Sequence, residues 1–236
     1  MIVVVIVAAV VVCCICSCFI FCISGGGAAY FGLKGKETDA DEAVTTKTVT
    51  TAKTGTTAAV TGATFSSPTA KSTALNDNGG GNLFWIDRHS IECNDGINQL
   101  QLNNNGGKMK YDYKCVSASA PDRGAVSEVK GNWANMENGN AVTLDRITVG
   151  CGVDSVLNKV KFVNIDGVNG RYDYNCLKMN KALTCREAST ANSDVGGGNA
   201  IYLDRQNITC NSDEALSSMK LVFSGDKYNY KYTCCK

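Results

Sequence analysis

Residues 79–236 carry one pattern three times, at a spacing of roughly 60 residues, and this repetition constrains the fold more than any other feature of the chain. The first copy reads GGGNLFWIDRHSIEC over residues 79–93, then INQLQL from Ile97, then YDYKC ending at Cys115. The second reads NGNAVTLDRITVGC over residues 138–151, LNKVKF from Leu157, and YDYNC ending at Cys176. The third reads GGGNAIYLDRQNITC over residues 196–210, LSSMKL from Leu216, and YKYTC ending at Cys234. With their flanking residues the copies occupy 79–115, 137–176 and 196–235. They predict a pseudo-threefold assembly of the trefoil or prism kind, with an irregular sandwich as the alternative.

Each copy reads as β-structure. In Tyr111-Asp112-Tyr113-Lys114-Cys115 the two rings and the sulfur share one face of a period-2 strand, and the charged residues share the other. The ring face is expected in the core. Gly- and Asn-rich stretches separate the apolar runs, Pro121 is the single proline of the domain, and no amphipathic helix pattern occurs there. The fold class is therefore all-β. One detail bends the first run of each copy: Ile86, Leu144 and Leu203 precede the Asp, while Ile91, Val149 and Ile208 lie an odd number of residues further on. A bulge or bend at the Asp-Arg pair would return both sets to one face.

The N-terminal part differs. Residues 2–23 contain no charge and are mostly Val, Ile, Ala, Cys and Phe, long enough for one transmembrane helix. A cleaved signal peptide would need basic residues before a shorter apolar core; none precedes Ile2, although Gly27-Ala28-Ala29 resembles a cleavage site. Residues 1–33 are read as a retained anchor. Its five cysteines, Cys13, Cys14, Cys16, Cys18 and Cys22, serve as small apolar residues, with acylation of Cys22 as the functional alternative. Residues 34–78 are dominated by Thr, Ala, Ser and Gly and read as a tether, whose Thr content also suits pairing with a sheet edge.

Eight cysteines remain beyond the anchor: Cys93, Cys115, Cys151, Cys176, Cys185, Cys210, Cys234 and Cys235. Repeat symmetry pairs Cys93 with Cys115, Cys151 with Cys176 and Cys210 with Cys234, leaving Cys185 for Cys235. Zinc is the other use of such residues, but no C-x-x-C knuckle occurs among them, and the chain has one histidine. No metal or cofactor is expected. Disulfides and the sequon Asn207-Ile208-Thr209 suggest an oxidising compartment, whereas Lys34 and Lys36 favour cytosol on the C-terminal side of the span. A virus maturing disulfides in the cytoplasm would reconcile the two.

Chemistry leaves little trace. The scattered basic residues and net charge of +1 exclude a phosphate-tracking surface, so nucleic acid is not an expected partner. His89 is replaced by Ile147 and Gln206 in the other copies and is expected at the surface; no nucleophile elbow, phosphate loop or dinucleotide motif is present. An enzyme is not indicated. The Asp-Arg pairs, Asp87-Arg88, Asp145-Arg146 and Asp204-Arg205, are the recurrent polar feature. They read as a turn-capping Asp and an Arg bonding strand ends, or else as three equivalent ligand sites with the tyrosines as stacking faces.

The apolar leader, the Thr-rich tether and Leu-Asp-Arg-x-x-Ile-x-Cys followed by Tyr-x-Tyr-x-Cys together resemble virion proteins of large double-stranded DNA viruses of the chlorovirus type. Tyr230-Lys231-Tyr232-Thr233-Cys234-Cys235 is the closest part. The resemblance covers mainly residues 79–236 and implies a minor capsid or membrane component between an internal viral membrane and the capsid shell, with the bilayer and capsid proteins as partners. The Asp-Arg and Tyr-x-Tyr-x-Cys-Cys elements are also similar to dermatopontin, an extracellular matrix protein, but the Trp expected after each Asp-Arg is absent. The expectation is thus a structural anchor of the virion, with a cell-surface or extracellular carbohydrate-binding adhesin as the alternative.

Overall fold

The computed structural model describes residues 62–236; the expected membrane span and most of the expected tether lie outside the described residues. Among the described residues no helix is long and apolar enough to cross a membrane. The last part of the expected tether belongs to the β-domain. Thr69–Ser72 and Asn76–Asp77 are strands, and Phe65 is buried. The ordered fold thus begins well before residue 79.

Each repeat supplies five strands. The first gives β1 (Thr69–Ser72), β2 (Asn76–Asp77), β3 (Ser90–Glu92), β4 (Gly96–Asn105) and β5 (Lys108–Val116). The second gives β6 (Arg123–Lys130), β7 (Ala134–Asn135), β8 (Thr148–Gly150), β9 (Ser155–Asn164) and β10 (Asn169–Met179). The third gives β11 (Cys185–Ser189), β12 (Ser193–Asp194), β13 (Asn207–Thr209), β14 (Ala215–Ser224) and β15 (Lys227–Cys235). They form three five-stranded antiparallel sheets, not the two of a sandwich.

The short strand of each repeat leaves its own sheet. β3 pairs with β9 of the second repeat, β8 with β14 of the third, and β13 with β4 of the first, so the exchange closes in a ring. Each exchanged strand buries its central residue, Ile91, Val149 or Ile208, and exposes the residue before it. These residues join Leu100, Leu102, Val160, Phe162, Met219 and Leu221 in one core to which all three sheets contribute. Cutting any one sheet away would open that core.

The apolar triplets are spaced three and then two residues apart, as in Ile97, Leu100 and Leu102, a pattern a straight strand cannot bury on one face. A register shift in each long hairpin resolves it, falling between Ile97 and Gln99, at Asn175/Cys176 opposite β9, and between Leu216 and Ser218. The extra residues are Asn98, Asn158 and Ser217. Their carbonyls accept from the N–H groups of Cys210, Cys93 and Cys151 on the incoming strands, at 2.8–3.0 Å. The bulge thus shapes the core face and receives the neighbouring repeat.

Beside Gly96, where β4 begins next to its bulge, the chain enters the domain. Phe65 packs with Val116, Val156, Leu177 and Ala215 in a second apolar cluster. Thr184 and the terminal Lys236 exchange backbone hydrogen bonds close by, since Gly62 also lies against Lys236. Both ends of the described chain therefore meet at this end of the domain.

The four disulfides join the pairs that repeat symmetry proposes, with Cα separations of 5.4, 5.6, 4.1 and 5.6 Å for Cys93–Cys115, Cys151–Cys176, Cys185–Cys235 and Cys210–Cys234. Three of them tie an exchanged strand, lodged in a neighbour's sheet, back to the last strand of its own repeat. They cross between sheets. Cys185–Cys235 instead links directly opposed residues of β11 and β15.

Candidate functional site: the Asp-Arg junctions and the asparagine ring

Each Asp-Arg pair ends a 3-10 helix, formed by Leu83–Arg88, Ala141–Arg146 and Ala200–Arg205. These segments, expected as strand with a bend, are helical because an Asn opens each one. The Oδ1 atoms of Asn82, Asn140 and Asn199 accept from the N–H groups of Phe84, Val142 and Ile201 at 2.9–3.0 Å. The helical turn carries Ile86 and Ile91 onto the same buried side, which the odd spacing had required of a bend.

The arginines do one job by two routes. The Arg88 guanidinium lies 3.6 Å from the Trp85 ring centroid, and that of Arg205 lies 4.2 Å from Tyr202. Trp85 covers Gly79 and Tyr202 covers Gly196 so closely that neither glycine has room for a Cβ. In the second repeat Thr143 replaces the aromatic residue and Glu137 replaces the glycine. Arg146 then pairs with Glu137 and donates to the Asn135 carbonyl at 2.7 Å. In every repeat the Arg fastens the loop that precedes its own helix.

The aspartates do not cap turns as expected. Among the described residues no other side chain bonds or pairs with the carboxylates of Asp87, Asp145 or Asp204, and all three are half-buried rather than buried. Burial pushes the Asp204 carboxyl up against the pull of Arg205. Asp145 and Arg146 share no ion pair, so Arg146 does not neutralise a buried acid.

The loops so fastened interlock at the end of the domain remote from Phe65. Asn82 Nδ2 donates to the Asn138 carbonyl at 2.9 Å and Asn199 Nδ2 to the Gly80 carbonyl at 3.2 Å. Gly81, Gly139 and Gly198 have φ of 89°, 91° and 88°, and a Cβ on each would collide with Asn199, Asn82 and Asn140 respectively. Each repeated Gly-Asn thus supplies a cap to its own helix and a wedge against the next loop. The ring surrounds an open depression lined by backbone and Asn side chains.

His89 is not at the surface; it is buried beside Tyr111, with ring centroids 5.9 Å apart. Tyr111 N–H donates to Thr73 Oγ1, which lies 2.9 Å from His89 Nδ1. The hydroxyl and Nδ1 thus share one hydrogen bond whose direction depends on the ring tautomer, and Nε2 has no partner in the core. Burial, with Arg88 adding to it and Asp87 opposing, lowers the pKa of this ring. Gln206 and Thr190 repeat the arrangement in the third copy, with Tyr230 N–H on Thr190 Oγ1 at 2.9 Å. The second copy has Ile147 and Gly131 in these places, so polar meets polar and apolar meets bare backbone. His89 is a packed core residue.

The motif tyrosines likewise face inward. Tyr111, Tyr113, Tyr172, Tyr174 and Tyr232 are buried and Tyr230 packs against the core, so they present no stacking surface. Burial pushes the Tyr111, Tyr172 and Tyr230 phenols up, Tyr230 to about 12. Tyr232 donates to the Thr209 carbonyl at 3.1 Å.

Three buried acids, Asp95, Asp122 and Glu214, were not legible in the sequence; Asp122 pairs with Lys181 at 2.9 Å. Asp95 pairs with Arg123 at 2.8 Å and accepts from Ala118 N–H at 3.0 Å; Glu214 accepts a two-pronged bond from Arg186. Burial pushes Glu214 up, but Arg186 and the Asn211 donors outweigh it and hold the carboxyl below its ordinary range. The signal that could have found Asp95 and Glu214 was an acid directly before each of β4 and β14. Glu214 also lies near Cys210 and Cys234, the one described cluster of metal-ligand type. Those sulfurs are joined to each other and the carboxylate holds Arg186, so the cluster does not fit a metal.

No protein-family model, curated protein or solved structure matches the chain.

Proposed function

We propose that the chain is a non-enzymatic structural protein in which a prism-like β-domain, held near a membrane by the apolar N-terminal segment, docks on protein neighbours. The observation that carries this reading is the placement of exposed apolar side chains. Among the described residues seven large hydrophobic residues are exposed, and five of them, Val126, Trp133, Val153, Ile165 and Val168, belong to the second repeat. The first repeat exposes Leu75 and the third Phe223. At the β9–β10 turn Ile165 and Val168 are 66% and 39% exposed, where the β4–β5 turn has Asn105-Gly106-Gly107 and the β14–β15 turn has Ser224-Gly225-Asp226. Packing inside the repeat does not require apolar residues there. Their concentration in one of three otherwise equivalent repeats favours a protein partner.

In the setting that the resemblance implies, that partner is a capsid protein and the anchor lies in the virion membrane. A cell-surface coat would use the same face. The carbohydrate-binding alternative draws less support, because the motif tyrosines are turned into the core. Cross-linking of intact particles or cells tests the reading: inter-protein links from Lys159 and Lys161, on the outer face of the same sheet, are expected. Links confined to the chain itself count against it.

A further inference from the structure

The sequon Asn207-Ile208-Thr209 coincides with an exchanged strand, and its geometry sets it apart from the matching strands of the other repeats. β13 lies at the edge of its sheet beside β4, with Asn207 opposite Gln101. Asn207 and Thr209 are exposed and Ile208 is buried between them. Gln99 Nε2 and Thr209 Oγ1 both donate to Asn207 Oδ1, at 3.0 and 2.9 Å. Among the described residues no acceptor engages Asn207 Nδ2. The carbonyl of the amide is thus held by two donors while the nitrogen is left free on an exposed edge.

We propose that Asn207 carries an N-linked glycan. The donor class is a lipid-linked oligosaccharide. Nδ2 forms a bond to the anomeric carbon, that carbon's bond to the pyrophosphate oxygen breaks, Nδ2 loses one proton, and the lipid pyrophosphate leaves with the bonding pair; nothing is oxidised or reduced. The folded domain accommodates the product, since the modified nitrogen keeps one N–H and both contacts at Oδ1 survive. The four disulfides suit the compartment in which this transfer occurs. Ser90-Ile91-Glu92 and Thr148-Val149-Gly150 hold the matching places in the other repeats and cannot accept a glycan. The sugar would cover the polar outer face around Gln99 and Gln101 and leave the apolar face of the second repeat bare. The inference goes beyond the docking role and narrows it: a glycan assigns the domain to the non-cytosolic side of its membrane, which suits the cell-surface setting of that role and not a capsid shell assembled in the cytoplasm.

The test is translation of the full chain with glycosylation-competent microsomes, followed by peptide N-glycosidase and mass spectrometry of the Asn207 peptide. One glycan is expected, removed with conversion of Asn207 to Asp, absent in Asn207→Gln and Thr209→Ala, and kept in Thr209→Ser. A second chain, Ser90→Asn/Glu92→Thr, places an acceptor at the matching position of the first repeat. If that acceptor is modified and Asn207 is not, the proposal is overturned by the site itself. If neither is modified while a control glycoprotein is, the domain is cytosolic and the proposal is overturned by topology. Neither failure touches the docking reading, whose readout is cross-linking.

Discussion

His89 Nδ1 sits 2.9 Å from the Thr73 hydroxyl, and Gln206 meets Thr190 in the corresponding place two repeats on. The two pairs fill one structural position with different chemistry, and only one of them titrates.

That difference predicts a pH dependence. Burial lowers the folded-state pKa of His89 below its ordinary value of 6.5. The stability tied to the neutral ring is therefore complete above the unfolded pKa and is lost as pH falls from about 6.5 toward the folded value, at up to about 1.4 kcal/mol per pH unit. His89→Gln, built on the Gln206 pattern, should flatten denaturant-derived stability between pH 7 and pH 5. An unchanged slope in the variant would show that His89 is not the titrating group.

The all-β class, three repeats and a core-facing Tyr-x-Tyr-x-Cys strand were legible because period-2 alternation and self-similarity are local signals. The exchange of β3, β8 and β13 was not, since a three-residue strand does not announce which sheet will take it. His89 was misplaced for a related reason. Its replacement by Ile147 and Gln206 looked like surface tolerance, whereas each substitution is matched across the core by Thr73, Gly131 or Thr190. The Asp-Arg pairs are legible as a repeat, but the Arg carries the structural role and its partners Trp85, Tyr202 and Glu137 vary in type, which hides that role in the sequence.

Were Asp145 buried and paired with Arg146, Arg146→Ala would strand it at a cost of about 1–3 kcal/mol. The structure reduces that figure. Arg146 is exposed and pairs with an exposed Glu137, so the loss should be at most about 1 kcal/mol, as for other surface pairs. Arg88→Ala, which removes a guanidinium from the Trp85 face, should cost about 0.5–1 kcal/mol and should not depend on Glu137. A double-mutant cycle of Arg146 with Glu137, read by urea denaturation, checks the first figure; a coupling well above it would mean the pair is more shielded than its exposure indicates.

The disulfide arrangement gives a third prediction. No cysteine among residues 62–236 should react with a thiol label in denaturant without reductant, and two or more labelled positions would break the pairing. Cys151→Ser/Cys176→Ser opens a link spanning 25 residues and should cost about 3 kcal/mol by loop entropy. It should also loosen β8 from β14, because that link is the cross-link that ties β8 to the last strand of its own repeat. Amide exchange at Val149, whose residue pairs with Met219, should then rise ahead of exchange at Val160.

The last prediction concerns the face of the second repeat. Trp133 is 41% exposed and lies under the Arg171 guanidinium, 4.2 Å from the ring centroid, while Arg171 also pairs with Asp173 at 2.7 Å. The ring is therefore held in one orientation before any partner arrives, which lowers the ordering cost of binding. Ile165 and Val168 stand on the neighbouring hairpin without such support and gain most from being covered. Ile165→Lys/Val168→Lys should leave stability nearly unchanged, since both side chains are exposed, yet should abolish the cross-links from Lys159 and Lys161 to neighbours. Leu75→Lys, which alters the one exposed large apolar residue described in the first repeat, should leave those links intact. If Leu75→Lys removes them and the hairpin variant does not, the docking face belongs to the first repeat and the clustering of apolar residues on the second has another cause.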